Sequence, residues 1–247
     1  MGDGWHRGPL VAFDIESSGV EPERDRIVTG TVWSWRPGER AGHETILADP
    51  GVEIPAKATA VHGITTEKAR TDGIPAVDAV RLLVGMLADQ VISGAPLVIY
   101  NAPFDLTMLA AECARHGLPT LHELVRDAGS TLYVIDPLVL DRRLDPTRHG
   151  KRQLGPACAA YGIELTPEDA HTSAGDCLAA ARLAWGIAER FPRIATMPLD
   201  ALQRFQAAAY RVQAEQADAR AKGMHIHRDV HYEWPIRITM PLFTGAA

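Results

Sequence analysis

Hydrophobic and polar positions along the 247-residue chain fall into short strand-like runs followed by longer helical ones. Residues 9–15 form a compact apolar run, and 25–35 ("DRIVTGTVWSW") alternate over a β-branched and aromatic stretch, the pattern of a half-buried strand. "PGER" at 37–40 turns the chain into a third strand at 42–49. A helical stretch begins at "TEKARTDG", and residues 76–92 carry apolar side chains at helical spacing. Residues 95–101 ("APLVIYN") are almost wholly apolar, as expected of a central strand buried on both faces. Pro103 suits the first turn of a helix running to about Arg115. Residues 130–140 read as a further strand, 151–163 as a short helix, and 172–191 and 198–222 as long helices. The order β-β-β-α-β-α-β-α-α predicts an α/β fold whose mixed sheet starts with three antiparallel strands and continues through helical crossovers. Residues 1–192 are expected to form one domain, with 193–247 as a helical and extended appendage.

Two acids interrupt the first strand. In "VAFDIESSGVEPERDRIVTG" (11–30), Asp14 and Glu16 are two residues apart, so a strand directs both to one face. Like charges held side by side repel, and a cation between them removes the conflict. A hydrated strand end is the plainer alternative for this stretch alone. Asp105 falls one turn into the helix after the buried strand, where the helix dipole also favours an acid. Asn101 stands at the preceding turn, suited to hold it through its side-chain amide. In "HTSAGDCLAA", His171 precedes a helix and Asp176 lies one turn inside it. Each acid alone fits a helix start or strand end; together they place carboxylates at the ends of several elements of one sheet protein.

Composition narrows the classes. The chain is 46% hydrophobic and 23% charged, with a net charge of −6, so it lacks the basic excess of a protein that coats duplex DNA. Nucleic-acid contact is then expected to be local or bridged by metal ions. The main basic cluster is "DRRLDPTRHGKRQ", with Arg142, Arg143, Arg148, Lys151 and Arg152; it reads as a solvated loop or as a phosphate-steering one. Three scattered cysteines (Cys113, Cys158 and Cys177) argue against a disulfide framework and a zinc cluster. The first residues carry no signal-peptide apolar core, and Arg81, Asp89 and Gln90 break the apolar stretch at 79–100, so a cytoplasmic protein with no membrane span is expected.

The motifs "FDIESSG…DRIV", "HGIT" (62–65), "NAPFD" (101–105) and "HTSAGD" (171–176) resemble, in order, those of the DnaQ-like 3′→5′ exonucleases, the histidine-containing branch of the DEDD superfamily. They span about residues 9–190, and their style resembles the polymerase III epsilon-subunit branch. The resemblance implies an RNase H-like mixed five-stranded sheet flanked by helices, and two Mg²⁺ or Mn²⁺ ions. Asp14 would bridge both ions, Glu16 and Asp176 would complete the inner shell, Asp105 would serve the second ion, and His171 would take a proton from water. Ser17 and Ser18, where relatives commonly carry threonines, would contact the terminal sugar. Val20, Val61 and His62 match positions that wedge against the terminal base, although Val20 and Val61 also suit a core. Asn101 belongs to the same substrate-binding set. Tyr100 replaces a frequent histidine and is expected to stay off the metals.

The implied substrate is a single-stranded or frayed 3′ end of DNA, cut to nucleoside 5′-monophosphates in proofreading or repair. Trimming of RNA 3′ ends is the alternative within enzymes, and a non-catalytic nucleic-acid-binding module the alternative outside them. Without a polymerase or helicase region, proofreading would need a polymerase partner. "TMPLF" (239–243) resembles a sliding-clamp docking peptide without its leading glutamine, with a packing arm as the plainer reading. His225, His227 and His231 could bind a metal or be ordinary surface histidines.

Overall fold

A computed structural model describes residues 4–165, 172–226 and 230–237. After a single 3₁₀ turn at Trp5–Arg7, strand β1 (Leu10–Ser17) pairs antiparallel with β2 (Ile27–Trp35), and β2 with β3 (Gly42–Asp49). Two short helices, α1 (Ala56–His62) and α2 (Thr66–Asp72), lead to β4 (Ile74–Pro75), which runs parallel to β3. The long helix α3 (Ala76–Ile92) crosses back to β5 (Leu97–Val98), parallel to β1. Helices α4 (Ala102–Arg115) and α5 (Leu121–Asp127) then connect to β6 (Val134–Ile135), parallel to β5. Four helices follow: α6 (Pro137–Leu144), α7 (Leu154–Ala160), α8 (Ser173–Arg190) and the four-residue α9 (Pro192–Ala195). The last helix is α10 (Leu199–Gly223). The sheet order β4-β3-β2-β1-β5-β6 gives six strands where five were expected, because the two-residue β4 adds an outer strand beside β3.

The pleat of β1 divides the core. Val11, Phe13 and Ile15 face a layer that includes α3 and α4, with Leu83, Leu87, Leu106 and Leu109 fully or nearly buried. Gly30, opposite Ile15, faces this layer too, and a Cβ there would meet Leu83 Cδ1 at 2.6 Å. On the other face Leu10 and Ala12 pack beneath α8, which contributes Ala179, Ala180, Ala181 and Ala184. These small side chains let the helix lie close to the sheet, so that its first turn reaches the same face as Asp14 and Glu16.

The expected strand at 130–140 is corrected: only Val134–Ile135 pair, and Pro137 starts α6. The local reason is an N-cap. Asp136 accepts hydrogen bonds from the backbone N–H of Leu138 (3.0 Å) and Val139, and proline at the first helical position needs no such partner. The same carboxylate accepts from Asn101 N–H and Ala102 N–H, both at 3.0 Å, and so fastens the turn into α4. Asn101 sits there in a left-handed conformation (φ 67°), which asparagine tolerates, and its side-chain amide makes no cap bond. Holding this turn is therefore the work of Asp136 rather than of the Asn101 amide. Thr120 and Glu123 form a capping box at α5, an element that the sequence reading did not anticipate.

On its outer side β6 is met by side chains of α10. Gln203 Oε1 accepts from Val134 N–H (2.9 Å), Gln206 Oε1 accepts from Asp136 N–H (2.7 Å), and Gln206 Nε2 donates to Val134 O (2.9 Å). Beyond α10, Trp234 and Ile236 pack on the core, and Arg237 N–H donates to Thr107 Oγ1 on α4 (2.9 Å). Among the described residues no helix is long and apolar enough to cross a membrane.

Asp136→Ala would strand several buried N–H groups at once. The expected loss is about 3 kcal/mol or more of unfolding free energy, because each buried unpaired group costs about 1–3 kcal/mol. Urea denaturation of the two proteins measures it.

Candidate active site

Asp14 and Glu16 leave β1 on the face opposite Phe13 and Ile15, at the end where the strand pairing becomes irregular between Glu16 and Ser17. Asp176 joins them from the first turn of α8. Thr172 caps that helix, its hydroxyl accepting from Gly175 N–H at 3.1 Å, and Asp176 N–H bonds to Thr172 O at 2.9 Å. One carboxylate oxygen from each of Asp14, Glu16 and Asp176 lies within 4.8 Å of the others. Asp105 approaches from α4 and is only 3% exposed; its Oδ1 accepts from Ile15 N–H at 3.1 Å, which ties the helix to β1 between the two acids.

The charges conflict. Burial, followed by repulsion from Asp105, Asp176 and Glu16, holds the Asp14 carboxyl well above the usual carboxylate range. Burial and Asp176 push Glu16 up to about 7. Burial also raises Asp105 well above its usual value, against the lowering pull of the Ile15 N–H and its own backbone N–H. Asp14 and Glu16 nevertheless keep part of their surface open to solvent. Several hard oxygen donors, partly open and mutually repelling, fit a divalent cation of the Mg²⁺ or Mn²⁺ kind. Among the described residues, this is the group of three or more that could hold a metal; of the tail histidines, His227 lies outside those residues.

Behind the acids lies a hydroxyl network that the sequence reading missed. Thr31, paired with Asp14 across the sheet, shares hydrogen bonds with Ser173 Oγ (2.7 Å) and Thr45 Oγ1 (2.8 Å). Cys177 Sγ donates to Thr31 O at 3.2 Å, so β2 is stitched to the first turns of α8. The signal available was the Thr-x-Thr alternation of β2 on the same face as Asp14.

The other expected site residues fall into two groups around the acids. Ser17 Oγ donates to Gly19 O at 2.6 Å. Ser18 is buried, donates to Asp25 Oδ1 and accepts from Arg26 N–H, so its hydroxyl braces the β1–β2 loop. A Cβ on Gly19 would meet Asp25 Oδ2 at 2.3 Å, so a larger residue there would displace the carboxylate that Ser18 and Glu21 N–H hold. Val20 and Val61 are 67% and 54% exposed, which removes the core reading for both. His62 ends α1 with Nδ1 accepting from Ile64 N–H, while Nε2 is buried without a hydrogen-bond partner. Burial lowers its pKa, and the nearby Ser17 backbone partly offsets this. Asn101 lies one turn before Asp105. Tyr100 turns away and donates to Arg152 O at 2.6 Å. His171, His227 and the 239–243 segment lie outside the described residues.

The basic cluster is neither wholly solvated nor wholly steering. Arg148 and Arg152 both bind the fully buried Asp141, at 2.8 and 2.7 Å, and Arg143 lies over the Phe205 ring.

Residues 11–184, which contain all four acids, match the profile of the RNase_T family, described as an exonuclease family. The chain belongs to this exonuclease family. It is 33% identical over 175 residues to a DNA polymerase III subunit epsilon-like protein of Rhodobacter capsulatus, covering 70% of this chain and 22% of that relative. It is 30% identical over 159 residues to the PolC-type DNA polymerase III of Streptococcus thermophilus, covering 63% of this chain and 10% of the relative. The chain thus spans less than a quarter of either relative. The fold is similar to that of E. coli exonuclease I in complex with a dT13 oligonucleotide, with a TM-score of 0.64 and 19% identity over 76% of this chain and 42% of that one. The exonuclease I of Methylocaldum szegediense gives a TM-score of 0.63 at 20% identity, covering 87% of this chain and 45% of that one.

Carboxyls whose folded-state pKa is raised bind protons more tightly when folded. Their stabilising contribution is complete below the unfolded value and is lost as pH climbs to the folded one. For Glu16 that window runs from 4.5 to about 7, and Asp14 and Asp105 act in the same direction. The metal-free protein is therefore expected to lose thermal stability from pH 4.5 to 7. Asp14→Asn is expected to raise its midpoint at pH 7.5 by about 2–4 °C per kcal/mol of repulsion relieved. Saturating Mg²⁺ or Mn²⁺ should raise the wild-type midpoint more at pH 7.5 than at pH 5. Scanning calorimetry with EDTA and with metal reads all three.

Proposed function

We propose that this exonuclease-family domain removes nucleotides from single-stranded or frayed 3′ ends of DNA by metal-dependent hydrolysis, releasing nucleoside 5′-monophosphates. The observation that carries the reading is the set of three carboxylates within 4.8 Å, with Asp105 buried beside β1. In this reading Asp14, Glu16, Asp105 and Asp176 would hold two ions, Mg²⁺ or Mn²⁺, with Asp14 as the carboxylate that would serve both. When bound, such ions stabilise the charge that develops on the attacking and departing oxygens of an in-line phosphoryl displacement.

The chain's own residues do the rest. His171, directly before the cap residue Thr172, accepts the proton of the attacking water, a role matched by the usual imidazole pKa of about 6.5. The side chains of Val20 and Val61 are exposed and press on the terminal base, with His62 holding the end of α1 against the Ser17 backbone. Ser17 and the Ser18 backbone meet the terminal sugar; the Ser18 hydroxyl is already engaged in bracing the loop. Asn101 completes the set from the turn before α4. A DNA polymerase partner and a cytoplasmic setting accompany this reading, since the curated relatives are named as polymerase III proteins.

The test is digestion of 3′-labelled single-stranded, mismatched and fully paired DNA, with a matched RNA oligomer beside them. Wild-type protein should shorten the single-stranded and mismatched DNA from the 3′ end with Mg²⁺ or Mn²⁺ and not with EDTA. Asp14→Ala should lower the rate by about a thousandfold, on the scale of removing a main electrostatic group from a catalytic centre. Faster loss of RNA than DNA would replace the DNA reading with an RNA-trimming one. A folded protein that binds these oligomers and cuts none would make it a binding module.

A further inference from the structure

A cavity of about 580 Å³ opens beyond the turn before α4, and of the residues given roles above only Asn101 lines it. Its walls include Tyr100 and Asn101 after β5, Arg142 on α6, Tyr210 and Gln213 on α10, and Arg237 beyond it. β5 and β6 run parallel to β1, so this cavity opens at the same end of the sheet as Asp14 and Glu16. One to two strand spacings, about 5–10 Å, separate the ends of β5 and β6 from the end of β1.

The chemistry of the walls is one-sided. Three arginines (Arg142, Arg152 and Arg237) and His231 line the cavity, and among the described residues no aspartate or glutamate does, in a chain whose net charge is −6. Arg152 is committed to Asp141. Arg142 and Arg237 have no carboxylate within ion-pair distance among the described residues, and the Arg237 Nε is buried without a hydrogen-bond partner. So is Gln213 Oε1, whose amide nitrogen donates to Val139 O at 3.0 Å. Arg142, Arg237 and Tyr210 face the same cavity, and while burial raises the Tyr210 pKa, the two arginines pull it down. The carboxylates that act on Tyr100 and Tyr210 are Asp136, Asp141 and Glu233. Asp136 and Asp141 are fully buried and hydrogen-bonded, and Glu233 faces the neighbouring groove and accepts from Tyr232 N–H.

A buried unpaired guanidinium nitrogen is costly, and a dianionic or bridging phosphate is the group whose oxygens match the guanidinium fork. The phenols and the Gln213 carbonyl suit the sugar hydroxyl or base edge attached to it. The cavity lies within the size range of small-ligand sites. We propose that it is a phosphate subsite, in which Arg142 and Arg237 bind a nucleotide phosphate beside the acid centre. This rests on the exonuclease reading for its role: the phosphate belongs either to the substrate strand, upstream of the scissile bond, or to a free mononucleotide. Most of the site is built by α6, α10 and the segment after it, and Tyr210, Gln213, His231 and Arg237 lie beyond the family match at 11–184.

The experiment measures binding apart from cleavage. Fluorescence anisotropy would follow a labelled single-stranded dT oligomer with phosphorothioate linkages, in Mg²⁺, with dTMP as a competitor in a second series. The proteins are wild type, the double variant Arg142→Gln/Arg237→Gln, and Arg143→Gln as a control for loss of positive charge nearby. Melting curves would verify that each is folded. A subsite for the strand predicts that the double variant binds the oligomer about tenfold or more weakly, as for loss of charge-assisted hydrogen bonds. Its slope of log Kd against log salt should shrink by about 0.7 for the one phosphate released. A subsite for free nucleotide predicts unchanged oligomer affinity and weakened competition by dTMP. Unchanged affinity for both probes, or an equal loss in Arg143→Gln, would overturn the proposal. Intact binding of this probe, together with no cleavage of an unmodified oligomer by wild type, would strike the enzyme reading and leave the subsite standing.

Discussion

Four carboxylates gathered at one end of β1 are the constraint around which the chain is arranged. Without a cation they repel, and burial adds to the cost of charging them. Such a cluster persists only when the scaffold around it is stiff enough to refuse relaxation. The stiffness comes from three directions: the pleat of β1, the close approach of an alanine-faced α8, and the Ile15 N–H bond that pins Asp105. Hydroxyl bonds among Thr31, Thr45 and Ser173 add a fourth tie, between β2, β3 and α8.

The placement of Asp105 shows how far such support extends. Its helix begins at a turn in a left-handed conformation, and that turn is fastened by Asp136 at the end of another strand. Trp234 reaches Asp136 Oδ2 at 3.4 Å, and Arg237 N–H bonds Thr107 on the first turns of α4. A segment more than a hundred residues away in sequence is thus coupled to the helix carrying one acid. The same segment supplies Arg237 to the neighbouring cavity, so the support of the acids and the wall of the proposed subsite share a residue.

Much of this was legible in the sequence where a local pattern had a single physical solution. The D-x-E pair on a strand, Asp105 after a buried strand and Asp176 in a helix start are read from spacing, and the structure brings them to one place. The ordered motifs carried the family. The strand expected at 130–140 failed because an apolar run does not distinguish strand from buried helix, while the Asp136-Pro137 start signal lay inside it. The two-residue β4 and the seven-residue α1 and α5 were too short for periodicity to register. The basic loop was ambiguous because sequence does not say that Asp141 is buried and has claimed two of its arginines. Arg142 and Arg237 are brought together only by the tertiary fold.

The glutamines of α10 have a consequence for how the sheet ends. Gln203 and Gln206 give β6 the donors and acceptors that another strand would otherwise provide. An open strand border invites pairing with a second chain, and proteins avoid that by covering it. Here the cover is a helix whose side-chain amides imitate a peptide backbone. The family match ends at residue 184, before this helix begins. A fragment trimmed to the matched region would therefore keep the acids and lose its guard against edge-to-edge association.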